Sequence, residues 1–293
     1  MSVTPGAPTG TSVALATLTA LAAAIVILFV AVLPAEYGID PASIQAGPQR
    51  VPFNDAAADV IEEFKPPVVS FHFGLPVDAL VKRVKSWGSK ILSSATTLDE
   101  ARYLEAHGAD AIIAQGYEAG GHRGMFLTED LSTQVATFAL VQETVRAVKV
   151  PVIAAGGIAD AQGVRAAMTL GVAAAQIGTA YLFCPEATTN PLHRAALKGN
   201  AAQTTAVTNL FTGRPARGIV TRLIREIGPM NACAPAFPLA ATAIFALRAR
   251  AEPKGVSDFT SMWAGQNAAA GREMPAAELT RHLADAIGSR RDT

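Results

Sequence analysis

From Val68 onward the chain alternates short apolar runs with helical stretches, several of which close on a glycine. The runs are VVSFHF (68–73), KILSSA (90–95), AIIAQG (111–116), PVIAAGG (151–157), AAAQIGT (173–179) and AVTNLFTG (206–213). Runs that are apolar on both faces suit parallel strands covered by helices, and strand-helix alternation builds βαβ units. Their starts lie 22, 21, 40, 22 and 33 residues apart. That spacing suits an α/β fold of the (β/α)8 TIM-barrel type better than an open sheet with long crossovers. About six units are visible where such a barrel has eight, so residues 67–228 are predicted to form an incomplete barrel. The helical stretches 97–107, 161–170 and 216–227 end at Gly108, Gly171 and Gly228, and Thr97 with Glu100 has capping-box spacing.

Two flanking regions read differently. Residues 229–293 form a C-terminal helical region, Ala-rich over 236–251 and amphipathic over 276–287. At the other end no Asp, Glu, Lys or Arg precedes Glu36, and residues 13–33 are apolar except for Thr17 and Thr19. As a helix rising 1.5 Å per residue this segment is roughly 30 Å long, the thickness of a hydrocarbon core. It is predicted as a transmembrane helix, with residues 34–66 as a proline-broken linker carrying one short helix capped by Asn54. A cleaved secretory signal and a buried helix compete with this reading. Against the signal, the leading MSVTPGAPTGTS has no basic residue, and the run exceeds a usual signal core. The expected localisation is a single-pass membrane protein with its catalytic portion in the cytoplasm, since Arg50 is the first basic side chain.

Charge narrows the partners. Lys+Arg (24) balances Asp+Glu (24), leaving no basic excess for a phosphate backbone, so nucleic acid is excluded. Two cysteines, Cys184 and Cys233, give neither a disulfide scaffold nor a metal-ligand spacing, and no metal is expected. There is no G-x-S-x-G, H-E-x-x-H or Walker loop.

Ligands of parallel α/β folds meet the C-terminal ends of the strands. The run from Ala111 ends in Gln115-Gly-Tyr-Glu-Ala-Gly-Gly-His-Arg-Gly124, whose four glycines permit close backbone approach. His122 lies in this loop rather than on a helix face, which makes it a candidate base or ligand contact. The next two ends, Ala154-Ala-Gly-Gly-Ile158 and Gln176-Ile-Gly-Thr179, expose backbone N–H groups and a hydroxyl, a nest suited to one phosphate.

These three segments resemble the flavin-site motifs of the nitronate monooxygenases, formerly 2-nitropropane dioxygenases, across 67–228. The resemblance implies an FMN-containing TIM barrel with an added helical domain, oxidising alkyl nitronates with O2 to a carbonyl compound and nitrite. It makes His122 the catalytic base, sets Gln115 and Gly120 against the flavin, and gives the FMN phosphate to Gly157, Gln176, Ile177, Gly178 and Thr179. The implied partners are a small nitronate or nitroalkane and O2, with the membrane held through the N-terminal helix. Family members begin with a strand carrying a Pro-Met-Ala type motif and a second βα unit, and neither is visible here. A rearranged relative, a sheet completed by another chain in a homo-oligomer, and a compromised enzyme all accommodate that departure. The alternatives to a nitronate monooxygenase are an FMN-dependent enoyl-acyl-carrier-protein reductase-like enzyme and a non-catalytic, membrane-tethered remnant.

Overall fold

The computed structural model describes residues 52–288. Eight strands lie among the described residues: β1 (Val68–Phe71), β2 (Lys90–Ala95), β3 (Ala111–Gln115), β4 (Gly121–His122), β5 (Val152–Ala155), β6 (Ala174–Gln176), β7 (Thr205–Thr208) and β8 (Ala216–Ile219). The helices are α1 (Asp55–Phe64), α2 (Asp78–Ser86), α3 (Leu98–Ala106), α4 (Thr137–Ala147), α5 (Ala161–Thr169), α6 (Pro191–Lys198), α7 (Arg222–Ile227), α8 (Ala240–Ala251) and α9 (Ala276–Gly288).

The first five apolar runs do form parallel strands, in the order β1-β2-β3-β5-β6. Strands succeed one another across the sheet without the reversal that defines a doubly wound fold, so the sheet is an arc of a TIM-barrel-like fold. The arc does not close: among the described residues β1 and β6 each pair with a single neighbour. Ile112, Ala114, Val152 and Ala154 on the sheet pack against Leu140 and Val141 of α4 and Leu104 of α3. Each of the buried Ile, Val and Leu side chains contributes about 1.5–3 kcal/mol relative to exposure.

Local signals set the helix starts. Asn54 accepts the Ala57 N–H at 3.0 Å, and Asp160 accepts the Gly163 N–H at 2.8 Å. Thr97 accepts the Glu100 N–H at 3.2 Å, which is half of the expected capping box. The other half is absent because the Glu100 carboxylate is spent elsewhere. Fully buried, it accepts from Thr96 N and Oγ1 at 2.7 Å each, from Phe126 N at 2.6 Å and from Leu127 N at 3.2 Å. It thereby ties the start of α3 to the chain leaving the glycine loop.

The sixth run departs from the expected pattern. Residues 205–208 form β7, which turns back on β8 as an antiparallel hairpin in a second sheet of order β4-β8-β7. A parallel return needs a crossover of roughly a dozen residues or more, and this connection is too short for one. Gly213, at φ +86, makes the turn. The helix expected over 216–227 starts at Arg222, because Ala216–Ile219 is wholly buried as the central strand of that sheet.

Nor is the C-terminal region an appendage. Leu279 and Leu283 of α9 pack on Ala161 and Val164 of α5. Residues 262–264 extend the second sheet, with Ile219 N donating to Met262 O at 2.8 Å and Ala264 N to Arg217 O at 3.2 Å.

The expected membrane localisation is corrected. No helix among the described residues is long and apolar enough to cross a membrane, and the predicted segment 13–33 lies outside them. The longest described helix, α9, has 13 residues, about 20 Å at 1.5 Å per residue.

Candidate functional site

A cavity of about 300 Å³ opens at the C-terminal ends of the parallel strands. His72 reaches it from just beyond β1, Ser94 from β2, Gln115 from β3, Gly156 and Gly157 from the turn after β5, and Gln176 from β6. Trp263, Gly265 and Asn267, from the C-terminal region, also line it.

Of the five residues expected to hold a phosphate, four line this cavity and one does not. Gly157 sits at φ +72, a conformation glycine adopts without strain. Among the described residues no acceptor meets the N–H of Gly157 or Gly178. A Cβ on Gly178 would have no heavy atom within 4 Å, so the space beside it is open. Thr179 Oγ1 accepts the Gly265 N–H at 3.0 Å, which leaves its own proton to donate. Gln176 is exposed at the cavity edge. Ile177 turns the other way and packs with the Val164 and Leu279 cluster, because successive residues of an extended segment face opposite sides. Unbonded amides, an available hydroxyl proton and an open cradle fit the phosphate of a flavin nucleotide.

The glycine loop is held from within. Gln115 is a brace: its Nε2 donates to His122 O at 2.9 Å and its Oε1 accepts Gly124 N–H at 2.7 Å. Arg123 is completely buried and donates to Gly116 O at 2.6 Å, Gln115 O at 2.8 Å and Gln134 Oε1 at 2.9 Å. Burial, and then the neighbouring Arg217, lower its pKa to about 10, which still leaves it charged at neutral pH. Glu118 accepts Thr137 N and Oγ1 at 2.8 and 2.7 Å, capping α4 rather than facing the cavity.

Two histidines meet here. His72 lines the cavity, and its pKa is lowered chiefly by desolvation. Its Nε2 lies 3.3 Å from His122 O and its Nδ1 3.1 Å from Ser94 Oγ. A carbonyl only accepts, so Nε2 carries the proton, Nδ1 accepts from Ser94, and both nitrogens are committed. His122 follows Gly121 at the cavity lip, and its ring does not line the cavity itself. The ring stands among Trp263, Phe73 and Phe237, with centroids 5.5, 6.0 and 6.0 Å away, and its Nε2 lies 2.9 Å from Thr212 Oγ1. Strand β4 sets this placement by pairing His122 with Ala216 of β8.

The sequence points to no role for Thr212, Trp263, Gly265 or Asn267, whereas Arg123 belongs to the glycine loop and His72 to the first strand run. The one available signal was Ala264-Gly265-Gln266-Asn267, a glycine-bearing polar segment between two helical stretches.

The nitronate monooxygenase family profile matches residues 36–285. The chain is 45% identical over 226 residues to the nitronate monooxygenase of Pseudomonas aeruginosa, covering 77% of this chain and 64% of that one. It is 40% identical over 209 residues to a probable nitronate monooxygenase of Bacillus subtilis, covering 71% of this chain and 60% of that one. It therefore spans less than two thirds of the length of these curated relatives. Among solved structures, a nitroalkane oxidase from Streptomyces ansochromogenes superposes with a TM-score of 0.79 at 35% identity, over 92% of this chain and 77% of that one. FabK from Thermotoga maritima gives 0.65 at 31%, over 82% and 73%. With a profile match over most of its length, on the barrel arc and glycine loop described above, the chain belongs to the nitronate monooxygenase family.

Proposed function

We propose that this chain is a flavin-dependent monooxygenase that oxidises alkyl nitronates with O2 to a carbonyl compound and nitrite, with FMN as its cofactor. The observation that carries the reading is the junction of the phosphate nest and the His122 loop around one cavity at the strand ends. Gly157, Gln176, Gly178 and Thr179 hold the phosphate, and Gln115 and Gly120 flank the flavin. Ile177 serves the nest by packing, since its side chain is turned into the helical layer. When bound, the flavin supplies electron acceptance and the reaction with O2.

The protein's own work is acid-base chemistry and exclusion of water. His122 removes the proton on the carbon bearing the nitro group, and the aromatic rings around it keep that proton from bulk solvent. His72, with both nitrogens committed, holds the His122 carbonyl in place. Arg123 contributes through the loop backbone.

The test is flavin content and nitrite release of the purified full chain. His122→Ala is expected to lower turnover of neutral nitroalkane by about 10²–10⁴-fold, with a much smaller loss on preformed nitronate. Colourless protein that takes up no FMN, or equal losses on both substrates, would overturn the reading.

A further inference from the structure

A hydroxyl has one proton and two lone pairs to place. Thr212 Oγ1 lies 3.2 Å from the Arg214 carbonyl oxygen, 3.4 Å from the Arg214 amide nitrogen and 2.9 Å from His122 Nε2. All three contacts are hydrogen bonds at once only when the carbonyl, which can only accept, takes the hydroxyl proton. The amide can only donate, so it fills one lone pair. The second lone pair is left for His122, whose Nε2 must then bring the hydrogen. We propose that Thr212 is a positioning residue that holds neutral His122 in the Nε2–H tautomer, so that Nδ1 carries the lone pair that receives the substrate proton.

The surroundings keep this arrangement from relaxing. The turn bearing Thr212 cannot drift, because Gly213 at φ +86 packs so closely on Pro235 O that a Cβ there would collide. Arg214 pins the other side, its guanidinium 4.0 Å above the Phe73 ring and its Nη2 donating to Met125 O at 2.6 Å. The loop end is fixed by Arg123 N donating to Pro215 O at 2.8 Å. With Phe73, Phe237 and Trp263 packed around the imidazole, a ring flip that exchanged the two nitrogens would have to break the Thr212 contact and displace aromatic neighbours. Fixing a tautomer in advance removes a proton rearrangement from the base's task, which is the benefit of a preorganised site.

The inference rests on the reading of His122 as base, and its test separates the two. The full chain is labelled with ¹⁵N-histidine, and the His122 nitrogens are assigned by their loss in His122→Gln. The expected wild-type spectrum has Nε2 protonated and Nδ1 unprotonated. Thr212→Val, or Thr212→Ala where valine does not fold, is expected to give a mixture of tautomers, and Thr212→Ser is expected to restore the single form. On neutral nitroalkane the valine variant is expected to lose tenfold or more in kcat, with little change on preformed nitronate. A proton on Nδ1 in the wild type, or one unchanged tautomer in the valine and alanine variants, overturns the proposal. A tautomer switch in a chain that releases no nitrite upholds it and overturns the oxidation reading instead.

Discussion

Gly120 and Gly265 meet backbone to backbone: a Cβ built on Gly120 would stand 2.5 Å from the Gly265 amide nitrogen and 2.6 Å from the Ala264 carbonyl carbon. This glycine lines the cavity, but what forbids a side chain there is the C-terminal segment closing over the loop. Gly120→Ala is therefore expected to destabilise the chain by about 1–3 kcal/mol and to weaken flavin binding by shifting Trp263 and Gly265. A thermal melt and a flavin titration check both. An unchanged melting temperature would show that the segment is free to step aside.

Gly178→Ala is the contrasting case. Gly178 has φ −113 and open space where a Cβ would go, so folding should tolerate alanine within about 0.5 kcal/mol. The methyl group would instead intrude on whatever the nest binds. Flavin affinity measured by fluorescence quenching is expected to fall while the melting temperature of the flavin-free protein holds. Unaltered affinity would remove Gly178 from the binding site.

Arg123→Met keeps much of the side-chain volume and removes three hydrogen bonds, leaving the Gly116 and Gln115 carbonyls buried without these donors. The expected loss is about 3 kcal/mol or more, read as a lower urea midpoint. Arg123→Lys should recover only part of it, because an ammonium cannot fork across two carbonyls and a side-chain amide as the guanidinium does.

Acid sensitivity should trace partly to His193. It is buried on α6, desolvation lowers its pKa despite a backbone hydrogen bond with Trp263, and its Nε2 has no partner among the described residues. A folded pKa below the unfolded 6.5 means that the unfolded chain takes up the proton first as pH falls. Its contribution is present above about pH 6.5 and is lost below it, by at most about 1.4 kcal/mol per pH unit until the folded pKa is reached. Urea midpoints at about pH 7.5 and pH 5.5 should differ less in His193→Phe than in the wild type. Equal differences would assign the acid sensitivity to other groups, such as His72, whose pKa is also lowered.

The parallel strands were legible because each carries its own signal. Ala111–Gln115 is apolar on both faces and wholly buried, and nothing distant is needed to make it a strand. The hairpin was not legible, since AVTNLFTG looks as apolar as a barrel strand and only its short connection to β8 gives it away. The turns after β5 and β6 stood out by their glycines, whereas the side-chain direction of Ile177, packed into the helical layer, depends on the alternation of extended chain. Trp263 and Thr212 escaped because their importance comes from pairing with β8 and with His122, contacts made across long stretches of sequence. Sequence spacing carries no trace of them.

The closing of the site by residues 263–267 also orders events in time. Neighbouring strands of the parallel sheet are near in sequence, as Val68 is to Lys90, so that sheet can assemble from contacts of modest loop length. Thr179 waits for Gly265, 86 residues later, and His122 waits for Thr212, 90 residues later. A chain emerging from synthesis through residue 183 already holds the five parallel strands described above but lacks the Trp263–Asn267 side of the cavity. On the proposed reading, cofactor capture belongs to the last stage of folding, and a chain cut short before Trp263 is expected to keep the arc of strands while losing part of the cavity wall.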